Sequence, residues 1–400
     1  MYRPLCITKK IIEQSLKVVD IVLPKVSLKL LEGVGVDLNI YTKVKIQGGK
    51  SLLGLLNLHV EVNITSRARM VQDKSGAPKL VIEQCKTHLG KIQVLTGLLP
   101  LNLGAVVSNL LNNLLPGVLC PVIDLVLNVL NTLLGTVNSI CPFGMLGQLH
   151  YTLAGLPLFR GQHILLNLNL MITDPEGKTI NLPPAQLPSL PVPVPGDHSS
   201  QLVLPGQLLT TLIGTLGSKG LLNMDITQQT LHGDVPMTTT ALQSLVPELS
   251  LLRIPSLPLV VRIRLSGAPK VALQNGEASV TLPASIGVLA RTRSGPMSVF
   301  AVDATIGLSG KIKVGSSKLS LSLSLKSLTL KLTSSEIGSF NVLALEGWFG
   351  NLIRSEYVPV VNGALEIGIP LPKLFNLKYD DAVVSVVQNA LVVDVAPKLL

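Results

Sequence analysis

The chain has 400 residues and a formal net charge of +10; 47% of its residues are hydrophobic and only 3% are aromatic. This length and composition allow two or more domains with a large buried core, and they exclude disorder over most of the chain. The scarcity of aromatic side chains argues against a nucleic-acid partner, because base stacking depends on such rings.

The first ten residues do not have the sequence pattern of a secretion signal. Residues 1–10 lack the apolar run of about 7 to 15 residues that a signal peptide contains. We therefore expect either that the chain is truncated or misassigned at its start, or that the protein does not leave the cell by the usual route.

Two segments that follow alternate between apolar and polar residues, as strands with one buried face do. The first runs from Val36 to Ile46 and the second from Leu56 to Ile64. They predict an antiparallel sheet that packs on one side. Asn63 begins an Asn-Ile-Thr sequon, which is weak evidence for glycosylation and secretion because such triplets also arise by chance.

Basic residues surround the two turns that this sheet requires, at Gly48-Gly49 and at residues 73–78. The candidate cations are Lys43, Lys45, Lys50, Arg67 and Arg69. Two neighbouring hairpin tips would then form a basic tip suited to anionic lipid headgroups and to contact with a membrane surface. Solvated lysines that protect a sheet from aggregation explain the same pattern.

The four cysteines are Cys6, Cys85, Cys120 and Cys141, and none has the spacing of a metal-binding or redox motif. We therefore expect no metal site. A disulfide between the strand that contains Cys85 and the helical region around Cys120 would fit an oxidising compartment. Four reduced, buried thiols in a cytosolic protein are the alternative.

From Ile92 to Phe159 the chain carries a single formal charge, Asp124. Apolar residues between Leu103 and Leu115 follow the spacing of one helix face, and a second helical run extends from Pro121 to Ile140. The Pro116-Gly117 pair predicts a break between the two runs. The length would allow a membrane span, but three asparagines and flanking strand patterns favour a helix that encloses lipid or an ordinary core helix.

Six prolines between Pro183 and Pro195 mark an extended connector. We predict an N-terminal lipid-binding domain over residues 1–182, a connector over 183–200 and a C-terminal lipid-binding domain over 201–400. The second half restarts with a helical segment from Pro205 to Leu216 and a strand from Leu259 to Leu265.

A leucine pattern between Leu319 and Leu332 slips by one residue and predicts a bulge. Residues 346–372 then have a helical pattern that Pro359 interrupts, and PVVNGAL there resembles PVIDLVL at residues 121–127. Similar modules of strands and a long broken helix are therefore expected in the two halves.

Fingerprints of nucleotide-binding and hydrolytic enzymes are missing from the sequence, and the six histidines are scattered. No catalytic residue and no cofactor can be nominated. We expect a protein that is not an enzyme.

Several long motifs together resemble one family, that of bactericidal/permeability-increasing protein, lipopolysaccharide-binding protein and the PLUNC proteins. They are LPKVSLKLLEGVGVDLNIYTKV from Leu23, VEVNIT from Val60, LLPGVLCPVID from Leu114 and PVVNGALEIGIPLPKLFN from Pro359. Within the family the chain resembles the long, two-domain PLUNC branch, which includes ovocalyxin-like proteins.

The resemblance implies an α+β, two-domain boomerang in which each domain is a twisted antiparallel sheet wrapped on long helices, with a central sheet between them. It implies an apolar lipid pocket in each domain and a disulfide between Cys85 and Cys120. Cys6 and Cys141 have no place in the family pattern. The residues expected to line or adjoin the first pocket are Leu110, Leu111, Leu114, Leu115, Val122, Val126 and Leu130.

The expected function is that of a secreted protein that binds bacterial lipopolysaccharide or phospholipid in innate mucosal or barrier defence. One alternative is an intracellular lipid-binding or lipid-transfer protein of endomembranes. Another is a surface-active extracellular matrix protein. The lipid, the tissue and the oligomeric state do not follow from the sequence.

Overall fold

Long antiparallel strands and a few helices build the molecule, which is α+β as predicted. The computed structural model describes residues 16–33, 35–48, 56–74, 76–96, 104–160, 163–182, 200–232, 235–252, 255–274 and 276–395.

The chain divides into two units whose segments alternate along the sequence. Unit 1 comprises Met1–Ser139, Tyr151–Asn169 and Lys373–Asn376, and unit 2 comprises Ile140–His150, Leu170–Pro372 and Leu377–Leu400. The predicted division, with one boundary at residue 182, is therefore simpler than the observed one. The predicted connector falls mostly on residues 183–199, outside the described residues, and stays a prediction.

Unit 1 contains a five-stranded antiparallel sheet. Its strands are β1 (Leu16–Ile21), β2 (Lys25–Leu31), β3 (Gly35–Gly48), β4 (Leu56–Gln72) and β5 (Pro78–Thr96). The order is β1-β3-β4-β5, and β2 pairs with another part of β3. The two strands predicted from alternation are confirmed as β3 and β4, because the apolar residues of both lie on one buried face.

A single helix, α1 (Gly104–Gly135), covers the buried face of this sheet. The predicted break at Pro116-Gly117 is wrong, since Pro116 and Pro121 both lie inside the helix. Each proline removes one backbone donor. The buried stripe nevertheless continues in phase through Leu115, Leu119 and Ile123, so packing against the sheet outweighs that local loss.

Two contacts hold α1 along β5. The Asn131 side chain accepts a hydrogen bond from the Leu80 N–H at 2.6 Å and donates one to the Leu80 carbonyl at 3.0 Å. A disulfide joins Cys85 to Cys120. Cys85 lies five residues after Leu80 on the strand, and Asn131 lies 11 residues after Cys120 on the helix, so the helix runs antiparallel to the strand. Both separations are about 16 Å.

Smaller strands follow α1. They are β6 (Ser139–Pro142), β7 (Gln148–Leu153), β8 (Leu158–Arg160), β9 (His163–Leu165), β10 (Leu168–Thr173) and β11 (Thr179–Asn181). Strands β8 and β9 form a hairpin, and the other four form a sheet of order β11-β10-β7-β6.

Unit 2 contains a three-stranded and a seven-stranded sheet with helices around them. Its elements are β12 (Ser200–Pro205), α2 (Gln207–Ser218), β13 (Met224–Thr227), α3 (Thr239–Leu242), β14 (Leu259–Leu265), β15 (Lys270–Gln274), β16 (Glu277–Thr292), β17 (Gly295–Val314), β18 (Lys318–Ser335), α4 (Glu346–Leu352), α5 (Val358–Leu365), β19 (Ile369–Pro370), β20 (Val383–Val387) and β21 (Ala390–Val395). The predicted helix near Pro205 and the predicted strand from Leu259 are confirmed. The orders are β12-β21-β20 and β13-β14-β16-β17-β18-β19, with β15 beside β16.

The predicted bulge in β18 is confirmed. Ser327 pairs with Gly307 and Leu325 pairs with Leu308, so Lys326 is the extra residue. The predicted interruption at Pro359 is wrong, because the helical run continues through it; the irregular part is a π-helical turn, Ile353–Tyr357, that joins α4 to α5. Pro359 then lies in the first turn of α5, where a missing N–H is tolerated.

One side-chain contact occurs in both halves of the chain. Asn362 of α5 bonds both backbone groups of Leu323 in β18, at 2.8 and 3.0 Å, as Asn131 bonds those of Leu80. The proposed match of PVVNGAL to PVIDLVL pairs Asn362 with Asp124 instead. An alignment based on the contacts would pair Asn362 with Asn131, which lies seven residues after Asp124.

We expect Asn131→Ala to lower the free energy of unfolding by about 2 kcal/mol, because it removes two hydrogen bonds and leaves two backbone groups of β5 without a partner. Urea denaturation followed by circular dichroism measures the loss. Asn128→Ala is the control: Asn128 is exposed on the same helix, so its replacement should change stability by less than about 0.5 kcal/mol. Equal losses would contradict the role of the Asn131 contact.

Candidate functional site

The sheet of unit 1 has two faces of opposite character. The inner face packs against α1 through a cluster that includes Leu38, Val60 and Leu111, each at most 1% exposed. The outer face carries the ion pairs and most other polar side chains of β3 and β4. A lipid site and a polar site on this unit would therefore lie on opposite faces of one sheet.

Half-buried apolar side chains flank the core cluster on α1 and on β5. We call this set of residues the α1–β5 seam; it consists of Val106, Leu114, Val126 and Leu130 of the helix and Ile82, Leu89 and Ile92 of the strand. They pack against the core cluster on one side and are partly open to solvent on the other. Such residues can bury more apolar surface against a ligand without exposing the core.

The residues predicted to line a lipid pocket fall into two groups. Leu110, Leu111 and Leu115 are buried in the core cluster. Leu114, Val122, Val126 and Leu130 are half-buried on α1, and all but Val122 pack against that cluster. Only the second group could contact a ligand without exposing the core. Its contact with lipid stays a prediction.

Sequence reasoning missed the strand side of the seam. The pairing of β5 with β4 shifts at three places, and two of them, between Arg67 and Ala68 and between Val60 and Val62, fall among the seam residues of β5. These shifts change which residues face inward, so Ile82, Leu89 and Ile92 do not follow a single period of two. The pairing with β4 had to be known before they could be identified.

The disulfide implied by the family resemblance, Cys85–Cys120, is confirmed. Its two Cα atoms are 6.2 Å apart, and Cys85 packs against the same core cluster as the seam residues. Cys141 is buried, and its Sγ approaches the Leu371 carbonyl at 3.6 Å. Cys6 lies outside the described residues.

Each predicted basic residue that the structure describes is paired with a carboxylate on the outer face. The pairs are Lys43–Glu61 at 3.2 Å, Lys45–Asp20 at 3.0 Å, Arg67–Asp37 at 3.1 Å and Arg69–Glu83 at 2.9 Å. A hydrogen bond from Lys43 is the main cause that lowers the pKa of Glu61. Lys50 lies outside the described residues.

The structure does not bring these cations together into one basic tip. Lys45 is three residues from the end of β3, whereas Arg69 pairs with Gly35 at the other end of that strand. Ten strand residues separate the two positions, a distance of about 33 Å. Consecutive turns of an antiparallel meander lie at opposite ends of its sheet, so the expectation of neighbouring tips is wrong.

Asn63 lies in the middle of β4, where it pairs with Tyr41 and His88 on the outer face. Sequons that carry glycans are typically found in surface loops. Glycosylation of Asn63 stays a prediction.

Among the described residues of unit 2, Glu356 is a buried carboxylate. Glu356, on the π-helical turn, accepts hydrogen bonds from the backbone N–H of His232 at 3.0 Å and from its ring Nδ1 at 2.9 Å. Burial by itself would raise the pKa of Glu356, but these bonds outweigh it and lower the pKa. The contact holds the segment around His232 against the helix.

Two other side chains of the same helical region make similar ties. Tyr357 donates to the Leu222 carbonyl at 2.9 Å, and Trp348 donates to the Pro236 carbonyl at 3.2 Å. Burial raises the pKa of the Tyr357 hydroxyl, so this group stays protonated as a donor. We therefore assign Glu356 a structural role.

Among the described residues, no group of three or more His, Cys, Asp and Glu side chains could hold a metal ion. One helix in this part of the chain, α1, is long and apolar enough by length and composition to cross a membrane. Its buried stripe, its disulfide and its Asn131 contact make it the core helix of unit 1 instead.

Comparisons with known proteins agree with this architecture. Models of the LBP/BPI/CETP family match residues 9–133 with the N-terminal domain and residues 171–398 with the C-terminal domain. BPI fold-containing family B member 3 of Mus musculus is 41% identical over 96% of this chain and 81% of its own length. Member 6 of Homo sapiens is 31% identical over 95% and 85%.

A solved structure has the same fold. The crystal structure of lipopolysaccharide binding protein superimposes with a TM-score of 0.60 at 20% identity, covering 96% of this chain and 87% of that one.

Removing the disulfide should destabilise unit 1. A closed loop of 35 residues predicts a loss of about 3 to 4 kcal/mol for Cys85→Ala combined with Cys120→Ala. Thermal unfolding with and without reductant measures it. The double variant should not respond to reductant, whereas Cys141→Ala should respond as the unmodified protein does; a Cys141→Ala protein insensitive to reductant would contradict the assignment.

The Glu356 contact predicts a pH dependence. Because the folded-state pKa of Glu356 is lowered, its stabilisation is fully present above the ordinary carboxyl pKa of about 4.3 and is lost as the pH falls through the lowered value. Chemical denaturation at pH 7 and at pH 3 should show a larger drop for the unmodified protein than for Glu356→Gln. Identical drops would show that Glu356 contributes nothing to the acid sensitivity.

Proposed function

Since the chain belongs to the LBP/BPI/CETP family, we propose that it is a lipid-binding protein that holds acyl chains in the α1–β5 seam of unit 1. The observation that carries this proposal is the half-buried apolar border at that place. The fold is the lipid-binding fold of the family.

The seam suits an acyl chain for energetic reasons. Its exposed parts are aliphatic, and covering them is worth about 25 cal/mol per Å² of apolar surface, or about 0.8 kcal/mol for each buried CH₂ of a ligand. The Cys85–Cys120 disulfide and the Asn131 contact hold the helix at fixed positions on β5. An acyl chain that covers the seam residues would therefore meet a largely preformed surface.

Unit 1 is the better candidate of the two units. In unit 2 the corresponding helical region buries nearly all of its apolar side chains, including Phe349, Leu352, Val361 and Leu365. Such a helix offers less half-buried surface than α1. The lipid site expected in the C-terminal domain stays a prediction.

We propose lipopolysaccharide or phospholipid as the ligand and secretion as the fate of the protein, in barrier defence. The net charge of +10 favours anionic lipids, and the disulfide requires an oxidising compartment. The lumen of the endoplasmic reticulum is also oxidising, so a lipid carrier within endomembranes is the second candidate. Glycosylation at Asn63 would fit either location.

A membrane-surface contact of unit 1 is part of the proposal. Leu23, in the turn between β1 and β2, is 90% exposed, and Val22 beside it is 45% exposed. Lys25 begins the next strand. An apolar turn with a flanking lysine suits the interface of an anionic bilayer.

We expect Val126→Trp to weaken binding of a fluorescent phospholipid at least about tenfold, because the larger ring fills the seam. Val129→Trp is the matched control: Val129 lies on the same helix but is 63% exposed, so binding should change less than about twofold. Circular dichroism checks that both variants fold.

Native mass spectrometry of the unmodified protein and the variants, expressed in the same cells, adds an independent readout. A co-purified lipid should be present in the unmodified protein and reduced in Val126→Trp. Equal lipid binding by Val126→Trp and Val129→Trp would remove the seam as the site. Absence of any bound or added lipid would overturn the proposed function.

A further inference from the structure

Strand β20 forms one edge of the three-stranded sheet of unit 2, whose order is β12-β21-β20. Its sequence is VVSVV, and its pairing with β21 is regular. In the part of the chain that the structure describes, no strand pairs with its other edge. Val383 is 66% exposed, and Ser385 is exposed as well. The strand therefore presents an open edge and apolar side chains to solvent.

The hairpin between β20 and β21 determines which backbone groups of β20 point outward. The loop has two residues, so the flanking residues Val387 and Ala390 form a hydrogen-bonded pair. Hydrogen-bonded and non-hydrogen-bonded pairs alternate along an antiparallel ladder. Every second residue of β20 therefore bonds β21, and the N–H and C=O groups of Val384 and Val386 point to the open edge.

Other sheet edges among the described residues carry features that discourage pairing with another chain. Strand β2 has Lys25 and Lys29, and β13 has Asp225. Strands β11 and β19 are only three and two residues long. By contrast, β20 contains no charge, no proline and no bulge. An exposed apolar edge without such protection is a site for strand pairing.

The strand is complementary to a second copy of itself. A two-fold axis through Ser385, perpendicular to the sheet, places Val384 of one copy opposite Val386 of the other, and each such pair can exchange two hydrogen bonds. Val383 then lies opposite Val387 on the other copy, so the most exposed valine of the strand gains an apolar neighbour. The two Ser385 side chains meet at the axis.

The absence of charge on β20 favours a second copy over other partners. The chain has a net charge of +10, so two copies repel each other unless their contact is made by uncharged residues. In the two-fold register the carboxylates of Asp380 and Asp381 lie beyond the paired residues and do not face each other. A strand of valines and one serine offers no electrostatic attraction to an acidic segment or to an anionic membrane.

We propose that β20 pairs with β20 of a second copy of the chain, which joins two three-stranded sheets into one antiparallel sheet. Because five paired residues bury less surface than a standard protein interface, the dimer should be reversible, with a dissociation constant of about 10–100 µM. A dimer carries two copies of each ligand site and can bind a surface with avidity. The proposal does not depend on lipid binding.

The test is sedimentation velocity of the full chain over a range of concentrations. Ser385→Lys should weaken the dimer at least about fivefold, because two lysines then lie directly opposite each other. Ser385→Glu should weaken it for the same reason. An equimolar mixture of the two variants should dimerise at least as well as the unmodified protein, because a lysine then faces a glutamate. This pattern requires residue 385 to pair with itself across a two-fold axis.

Thr179→Lys is the matched control, because Thr179 is an exposed hydroxyl residue on β11, another edge strand of unit 2. It should change the dissociation constant less than about twofold. A dimer that Ser385→Lys leaves intact would overturn the proposal, as would equal weakening by Thr179→Lys or a mixture of the Ser385 variants that stays monomeric. An unmodified chain that is still monomeric at about 500 µM, above the expected range, would also overturn it.

Hydrogen exchange measured residue by residue separates a second copy from other occupants of the edge. The amides of Val384 and Val386 should exchange more slowly as the protein concentration rises, whereas the amide of Ser385, which bonds β21, should change little. If the two amides are already protected in dilute protein, another segment of the chain covers the edge and the proposal is wrong. If they become protected only when phospholipid vesicles are added, the edge contacts a membrane and the proposal is also wrong.

Discussion

The attachment of α1 along β5 is the constraint on which the rest of unit 1 depends. The Asn131 side chain and the Cys85–Cys120 bond fix two points of the helix to two points of the strand. Because the separations match in helix and strand, α1 runs antiparallel to β5, and its buried stripe packs in one cluster with the inner faces of β3 and β4. The same two contacts limit how far the helix can move from β5.

The sheet separates two kinds of chemistry because side chains alternate along each strand. On β4, Val60, Val62 and Ile64 face the core, whereas Glu61, Asn63 and Thr65 face outward. The apolar inner face and the polar outer face are thus built from neighbouring residues without sharing a side chain.

Much of the fold could be predicted from sequence, since a period of two marks β3, β4 and β14 directly. The disulfide followed from the family resemblance. The predictions that failed depended on contacts between residues distant in sequence. Pro116 and Pro121 would break an isolated helix, but they do not break one that packs on a sheet. The carboxylates that neutralise Lys43, Lys45, Arg67 and Arg69 become visible only once the strand register is known.

The seam illustrates the same limit of prediction from sequence. Leu114, Val126 and Leu130 could be proposed from the periodicity of α1, but their counterparts on β5 depend on two bulges whose positions the sequence of β5 alone does not give.

In both units an asparagine side chain attaches a helix to a strand, but the units differ in the other contacts that hold the helix. Asn362 bonds β18 as Asn131 bonds β5, but in unit 2 the helical region is held further by Trp348, Glu356 and Tyr357, which tie it to the segment from Leu222 to Pro236. Such side-chain ties cover the helix and bury its apolar residues. The disulfide of unit 1 fixes α1 at a point and leaves the border beside it half-open. The same arrangement of helix on strand is therefore closed in unit 2 and accessible in unit 1, which is why we assign lipid binding first to unit 1.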